Sequence, residues 1–262
     1  YLYEATAIAD YRFSRLYKKI MEITNEQKQV MISGILGDGS LHKTGNMSFS
    51  CIHKEYMELK YKLLNDLCIG DVKVRENNGY KKGIIYWIST KANPYSKRLS
   101  GLSIKNFIND LDELGIALWC FDDGAIHKKD YFFNINTHAI DLDTQTNVLV
   151  PFLNRHNIFP KIYSETKKDG RKFNYLYIPL WSGVFELSRM MRKLNLDCYS
   201  YKLLPKELED FYFEYKDTEE FKERKTSYAK TCFFKKKLGL SQKDYICEYF
   251  KTHTVNKKQP II

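Results

Sequence analysis

Residues 31–43, MISGILGDGSLHK, return in altered form at 116–128 as IALWCFDDGAIHK. Both copies run from an apolar stretch into Asp-Gly and then, after a short step, His-Lys; Asp38 and Asp123 stand 85 residues apart. That interval is too long for a solenoid repeat and suits a duplicated half-domain, so two similar lobes are expected. A helix-start signal precedes each copy at matching distance, Thr24-x-x-Gln27 and Asp110-x-x-Glu113, both with capping-box spacing. Between caps and Asp-Gly, Val30, Met31 and Ile35, then Leu111, Leu114, Leu118 and Phe121, recur at helical spacing. Gly39 and Gly124 suit the left-handed residue that stops a helix. Asp38 and Asp123 are thus expected at helix C-termini, where the macrodipole already concentrates negative potential. Carboxylates set against the dipole point to a cation.

After each helix the pattern shortens to strands: MSFSCI, VKVRE and GIIYWIST in the first half, YFFNIN, KIYSE and FNYLYI in the second. Asn78-Gly79 and Asp169-Gly170 mark tight hairpin turns between the later pairs. Helices over 54–68, 143–156 and 183–194 fill the gaps. The result is an α+β fold with pseudo-twofold symmetry: a helical N-terminal extension at 1–23, a first lobe at 24–109 and a second at 110–205. Beyond Pro205 the echo is lost. Residues 206–223 are acidic and 224–262 basic, which suits a helical spacer followed by a basic extension. Within that extension, KKKLGLSQKDYICEYF carries a Ser241-x-x-Asp244 cap and reads as a docking helix with a basic exterior.

Lysine and arginine total 42 against 32 acidic residues, a net charge of +10, which asks for an anionic partner. With 20 Tyr and 16 Phe, a disordered polycation is excluded, and the charge must ride on a folded body. No apolar run reaches the length of a membrane span, and YLYEATAIADYRF lacks the layout of a signal peptide, so a soluble, intracellular protein is expected. Cys51, Cys68, Cys120, Cys198, Cys232 and Cys247 form no C-x-x-C pair and read as free thiols.

Packed side by side about a pseudo-twofold axis, the two Asp-ending helices would deliver Asp38 and Asp123 to one end of their interface. Small residues for such a contact exist in Ser33, Gly34 and Gly37, with Gly115, Ala117 and Cys120 opposite. Two close carboxylates either share a proton or hold divalent cations. In a basic protein that faces phosphates, Mg²⁺ is the expected choice, because it needs few carboxylates beside waters and phosphate oxygens. GILGDG at 34–39 and WCFDDG at 119–124 resemble the two motif copies of single-chain LAGLIDADG homing endonucleases, and CYSYKLLP at 198–205 resembles the lysine-bearing segment that closes the second lobe. The resemblance covers about 24–205. It implies two αββαββα-like lobes whose antiparallel sheets form a DNA-binding saddle. It also implies that Asp38 and Asp123 are metal ligands, assisted by the carbonyls of Gly37 and Asp122, and that Lys202 polarises solvent at the scissile phosphate. Leu36 and Phe121 replace the motif's first acidic residue. The basic partner expected before the second motif is missing its obvious candidate, since that stretch offers Lys105, with Lys97 and Arg98 upstream.

β-Ribbons fit the major groove, and the later hairpins supply them. Lys73 and Arg75 share a strand face, Lys81 and Lys82 follow the turn and Lys91 ends the strand; Lys161, Lys167, Lys168, Arg171 and Lys172 are their counterparts. Because the lobes differ at nearly every strand position, the double-stranded DNA target should be long and non-palindromic and bound by a monomer. An RNA-binding intron maturase on the same scaffold is the alternative; a glycosidase built on two carboxylates is disfavoured by charge. Gly37-x-Gly39 meets His42 where a dinucleotide fingerprint needs glycine, and no P-loop exists, so nucleotide cofactors are not expected. His42, His53, His127, His138, His156 and His253 make no metal motif. Rich usage of lysine, asparagine and tyrosine suggests an AT-rich genome, such as that of an organelle, a phage or a low-GC bacterium.

Overall fold

The computed structural model describes residues 23–77, 83–127, 132–166 and 170–237. Outside the described residues lie the 1–23 extension apart from Ile23, the turn residues Asn78, Gly79 and Asp169, the lysines 81, 82, 167 and 168, and the Ser241-x-x-Asp244 segment with Cys247 and His253.

Helix α1 (Asn25–Leu36) opens with the expected capping box: Gln27 N donates to Thr24 Oγ1 at 3.2 Å and Thr24 N donates to Gln27 Oε1 at 3.0 Å. The first lobe continues through β1 (Ser40–Leu41), β2 (Met47–Cys51), α2 (Lys54–Leu64), β3 (Lys73–Asn77), β4 (Gly83–Ser89) and α3 (Pro94–Leu99). The second repeats the order. Its α4 (Glu113–Asp123), β5 (Gly124–His127) and β6 (Phe132–Asn136) lead into α5 (Leu142–Thr144), a π-helical turn (Gln145–Leu149) and α6 (Val150–Asn154), then β7 (Lys161–Thr166), β8 (Lys172–Ile178) and α7 (Val184–Arg192). Each lobe builds one four-stranded antiparallel sheet, ordered β1-β2-β4-β3 and β5-β6-β8-β7. The α+β duplicated fold expected from the two motif copies is present.

Pairing register decides which side chains enter the core. In the first sheet Phe49 faces Ile88, so their side of the sheet is buried, while Ser50, Trp87, Lys73 and Arg75 fall on the other side. In the second sheet Phe133 faces Ile178 and Ile135 faces Leu176, all four buried. Helix α4 is buried from Gly115 to Phe121 because it packs against both α1 and α7. Its bulky Trp119 is wholly enclosed, and Phe121 stacks on Tyr199 with ring centroids 4.8 Å apart. Burial of each such side chain contributes about 1.5–3 kcal/mol.

Four local expectations are corrected. The N-cap of α4 is Asp112, whose carboxylate accepts from Leu114 N at 2.9 Å and Gly115 N at 3.3 Å; Asp110 ends a preceding 3-10 turn. Gly39 and Gly124 are not left-handed; each is small because of packing, since a Cβ on Gly39 would sit 2.8 Å from Gly34 O and one on Gly124 2.4 Å from the Phe133 ring. Helix α2 stops at Leu64 rather than 68, where Asn65 turns left-handed with φ 46°. Gly34 does not serve the contact between lobes: it clears Phe49 of its own sheet.

After Pro205 the acidic stretch forms α8 (Lys206–Tyr215) and α9 (Glu219–Lys222), and the basic stretch begins with α10 (Ser227–Lys237). Helix α8 docks on α7 through buried Glu209, which accepts from Ser188 Oγ at 2.8 Å and Arg192 Nε at 3.2 Å, while Tyr212 stacks on Phe185. The five described cysteines are free thiols. Among the described residues no helix is long and apolar enough to cross a membrane.

Candidate active site and DNA-binding face

Buried Gln29 pins the heads of the two motif helices. Its Nε2 donates to Asp110 O at 2.8 Å, and its Oε1 accepts from Asp112 N at 2.8 Å. An amide satisfied at both ends fixes the register of α1 against α4. The helices are of nearly equal length, so their far ends also meet. A Cβ on Gly37 would lie 2.7 Å from the Cβ of Asp122, and only glycine permits that approach. Asp38 follows Gly37 in the turn; Asp123 is the last residue of α4.

The two carboxylates share one electrostatic environment. Burial pushes the Asp38 carboxyl above its ordinary range, and the charge of Asp122 adds to the rise, against the pull of Lys60 and Lys202. Asp123 is pushed up to about 7, by burial first, then by Asp38 and Asp122, with Lys202 and Lys60 opposing. Lys202 stands beside them in the 3-10 turn Asp197–Lys202. Its Nζ donates to Phe121 O at 2.6 Å and lies 4.8 Å from the Tyr199 ring centre; burial lowers its pKa, against the raising influence of Cys120 and the three aspartates. The turn is held from the first lobe by Glu55, which accepts from Asp197 N at 3.1 Å and Cys198 N at 2.9 Å.

A second lysine at the site comes from α2, not from the stretch before the second motif. Lys60 Nζ lies 2.8 and 2.9 Å from the two carboxylate oxygens of Asp122, which also accepts from Tyr56 OH at 2.8 Å. Both charged side chains are almost wholly buried, 2% and 1% exposed, so this is an enclosed ion pair. Lys97 and Arg98 lie instead on α3, and Lys105 in the 3-10 turn Ile104–Asn106. A signal for Lys60 did exist: buried Tyr56, Met57 and Leu64 surround it at helical spacing, and a lysine inside an apolar stripe needs a buried anion.

Residues 28–183, more than half of the chain, match the family described as the LAGLIDADG DNA endonuclease family. The chain belongs to it. The DNA endonuclease I-ChuI of Chlamydomonas applanata is 24% identical over 213 residues, spanning 70% of this chain and 96% of that protein. The homing endonuclease I-WcaI bound to its DNA recognition sequence has the same fold, with a TM-score of 0.60, 20% identity, and coverage of 72% of this chain and 91% of its own. With LAGLIDADG membership comes the class of reaction, site-specific DNA endonuclease.

The LAGLIDADG carboxylates fit a hard divalent cation. Burial raises both carboxyls, and the charge of Asp38 adds to the rise at Asp123, a repulsion that positive charge beside them would relieve. The Asp122 side chain is engaged with Lys60 and Tyr56, so its carbonyl is the group left to assist, beside that of Gly37. Among the described residues no group of three or more His, Cys, Asp and Glu suits a metal; two carboxylates with backbone carbonyls are the oxygen-donor type that Mg²⁺ accepts beside water and phosphate.

The sheet sides opposite the core are the candidate DNA-binding face. Lys73 and Arg75 point the same way on β3, and Lys73 Nζ lies 4.7 Å from the Trp87 ring centre. Lys161 pairs with Tyr177 on the corresponding side of the second sheet, and the Arg171 guanidinium lies 5.5 Å from the Phe173 ring centre. Lys172 pairs with Thr166 and alternates onto the side of Leu176 and Ile178. Lys91 lies past β4, and its Nζ donates to Asp66 O at 2.8 Å.

Proposed function

We propose that the protein is a monomer that hydrolyses both strands of one long, asymmetric DNA duplex, with Mg²⁺ bound by Asp38 and Asp123. The observation that carries this reading is the close approach of the ends of α1 and α4 at Gly37 and Asp122, which brings one aspartate from each lobe together, with the charge of Asp38 helping to raise Asp123. Asp38 and Asp123 bind and orient the cation, with the carbonyls of Gly37 and Asp122 assisting. The cation supplies Lewis-acid stabilisation of charge on the phosphate and on the departing 3′ oxygen. Lys202, held against Phe121 O, keeps an ammonium beside the carboxylates, where it polarises the attacking solvent. Lys60 cannot play the same part while it is paired with Asp122, so the two strands meet unequal basic groups and should be cut at unequal rates.

The I-ChuI and I-WcaI relatives favour DNA cleavage over the maturase alternative. The test is incubation of the full chain with a randomised duplex library and Mg²⁺, followed by sequencing of cut ends. Ends sharing one long, asymmetric consensus support the proposal. Splicing stimulation without any cutting would transfer the scaffold to RNA.

A further inference from the structure

The two DNA-facing sheet sides carry different chemistry. On the first, register groups Ser48 and Ser50 with Trp87, Lys73 and Arg75. On the second, beside Lys161, it groups aromatic rings that touch in sequence. His127 stacks on Phe132 with centroids 4.2 Å apart, Phe132 lies 4.8 Å from Tyr177, and Tyr177 lies 5.1 Å from Tyr163. This ladder begins four residues past Asp123 and crosses β5, β6, β8 and β7 to the outer strand. Core packing does not account for it, because the core side of the same strands is filled by Phe133, Ile135, Leu176 and Ile178, and Tyr163 is 51% exposed.

In the major groove the one apolar group that marks a base is the thymine C5 methyl, while guanine O6 and N7 match Arg and Lys. We propose that the aromatic ladder of the second lobe reads thymine methyl groups, making the half-site beneath it thymine-rich, whereas Lys73 and Arg75 read guanines in the other half. This rests on the endonuclease reading above and adds the base composition of its substrate. Rings already stacked on one another lose little freedom on binding, so methyl contacts translate into affinity. Duplex DNA is favoured over unpaired bases because the ladder starts on β5, the strand that follows Asp123 directly, and the aspartate pair takes one member from each of two lobes.

The test uses the full chain, a duplex selected from a randomised library in EDTA, and replacement of thymidine by deoxyuridine one half at a time, which removes only the methyl. Substitution in one half is expected to weaken binding about fourfold per contacted thymine, the worth of a buried methyl, and in the other half less than twofold. Tyr163→Ser, at a half-exposed position on an edge strand, should lose part of that sensitivity while melting within a few degrees of the parent. Equal losses in both halves, no loss in either, a loss untouched by Tyr163→Ser, or tighter binding of single strands than of duplex would overturn the inference. The deoxyuridine comparison on the parent protein stands even should the variant fold poorly. A library yielding no preferred duplex would overturn the endonuclease reading itself, and this inference with it.

Discussion

Replacing Asp123 by Asn should make the metal-free protein more stable at pH 8 while destroying its activity. The carboxyl of Asp123 is pushed from its ordinary 3.8 to about 7 by burial and by the charges of Asp38 and Asp122. A carboxyl whose folded pKa lies above its unfolded one stabilises the protein less as pH rises, because the folded state holds a proton that the unfolded chain has released. Its cost is absent below about pH 4, grows through the interval up to about pH 7 and is complete above that. At about 1.4 kcal/mol per pH unit the full interval corresponds to about 4 kcal/mol. The carboxyl is open to solvent on one side, and screening reduces this to about 1–2 kcal/mol. For a chain of this size that is a Tm gain of about 3–6 °C. The assay is thermal unfolding of parent and variant in EDTA at pH 8, 5 and 4, reading only the difference between them. The gain should shrink to about a third at pH 5 and vanish near pH 4. A variant that melts lower at pH 8, or a difference independent of pH, would refute the electrostatic account of the pair.

Two further outcomes follow from the lysines. Lys60→Met leaves Asp122 buried without its cation and should cost about 3–5 kcal/mol, with Lys60→Met/Asp122→Asn recovering part of the loss; urea titration checks both, and a single variant within about 1 kcal/mol of the parent contradicts the enclosed ion pair. Lys202→Met should slow cleavage of the selected duplex about 10²-fold or more while leaving DNA affinity within about threefold, measured by single-turnover cleavage and by binding in EDTA; an unchanged rate removes Lys202 from the mechanism.

The motif helices were legible in the sequence because several signals agreed: apolar spacing, the Thr24 cap, and an Asp-Gly ending that appears twice. The longer strands were legible for the same reason, and their alternation put Lys73 and Arg75 on one side. Strands β1 and β5, of two and four residues, are too short to display a period, and they exist because the sheet begins directly at each aspartate. At α4 two aspartates lie two residues apart, and spacing favoured Asp110 over Asp112. The structure decides for Asp112 because Asp110 O is needed as the acceptor for Gln29. Gly39 and Gly124 were recognised as obligatory for a reason that proved to be close packing rather than backbone handedness. Lys60 escaped because its partner is 62 residues away in the other lobe, a pairing that only the packing of α2 against the motif helices creates.

One aspartate from each lobe must act together for both strands to be cut, and the most direct measurement is the product distribution from a supercoiled plasmid carrying the selected site in Mg²⁺. Asp38→Asn and Asp123→Asn are each expected to bind the site yet yield no linear product. Full linearisation by either variant would contradict a shared catalytic centre.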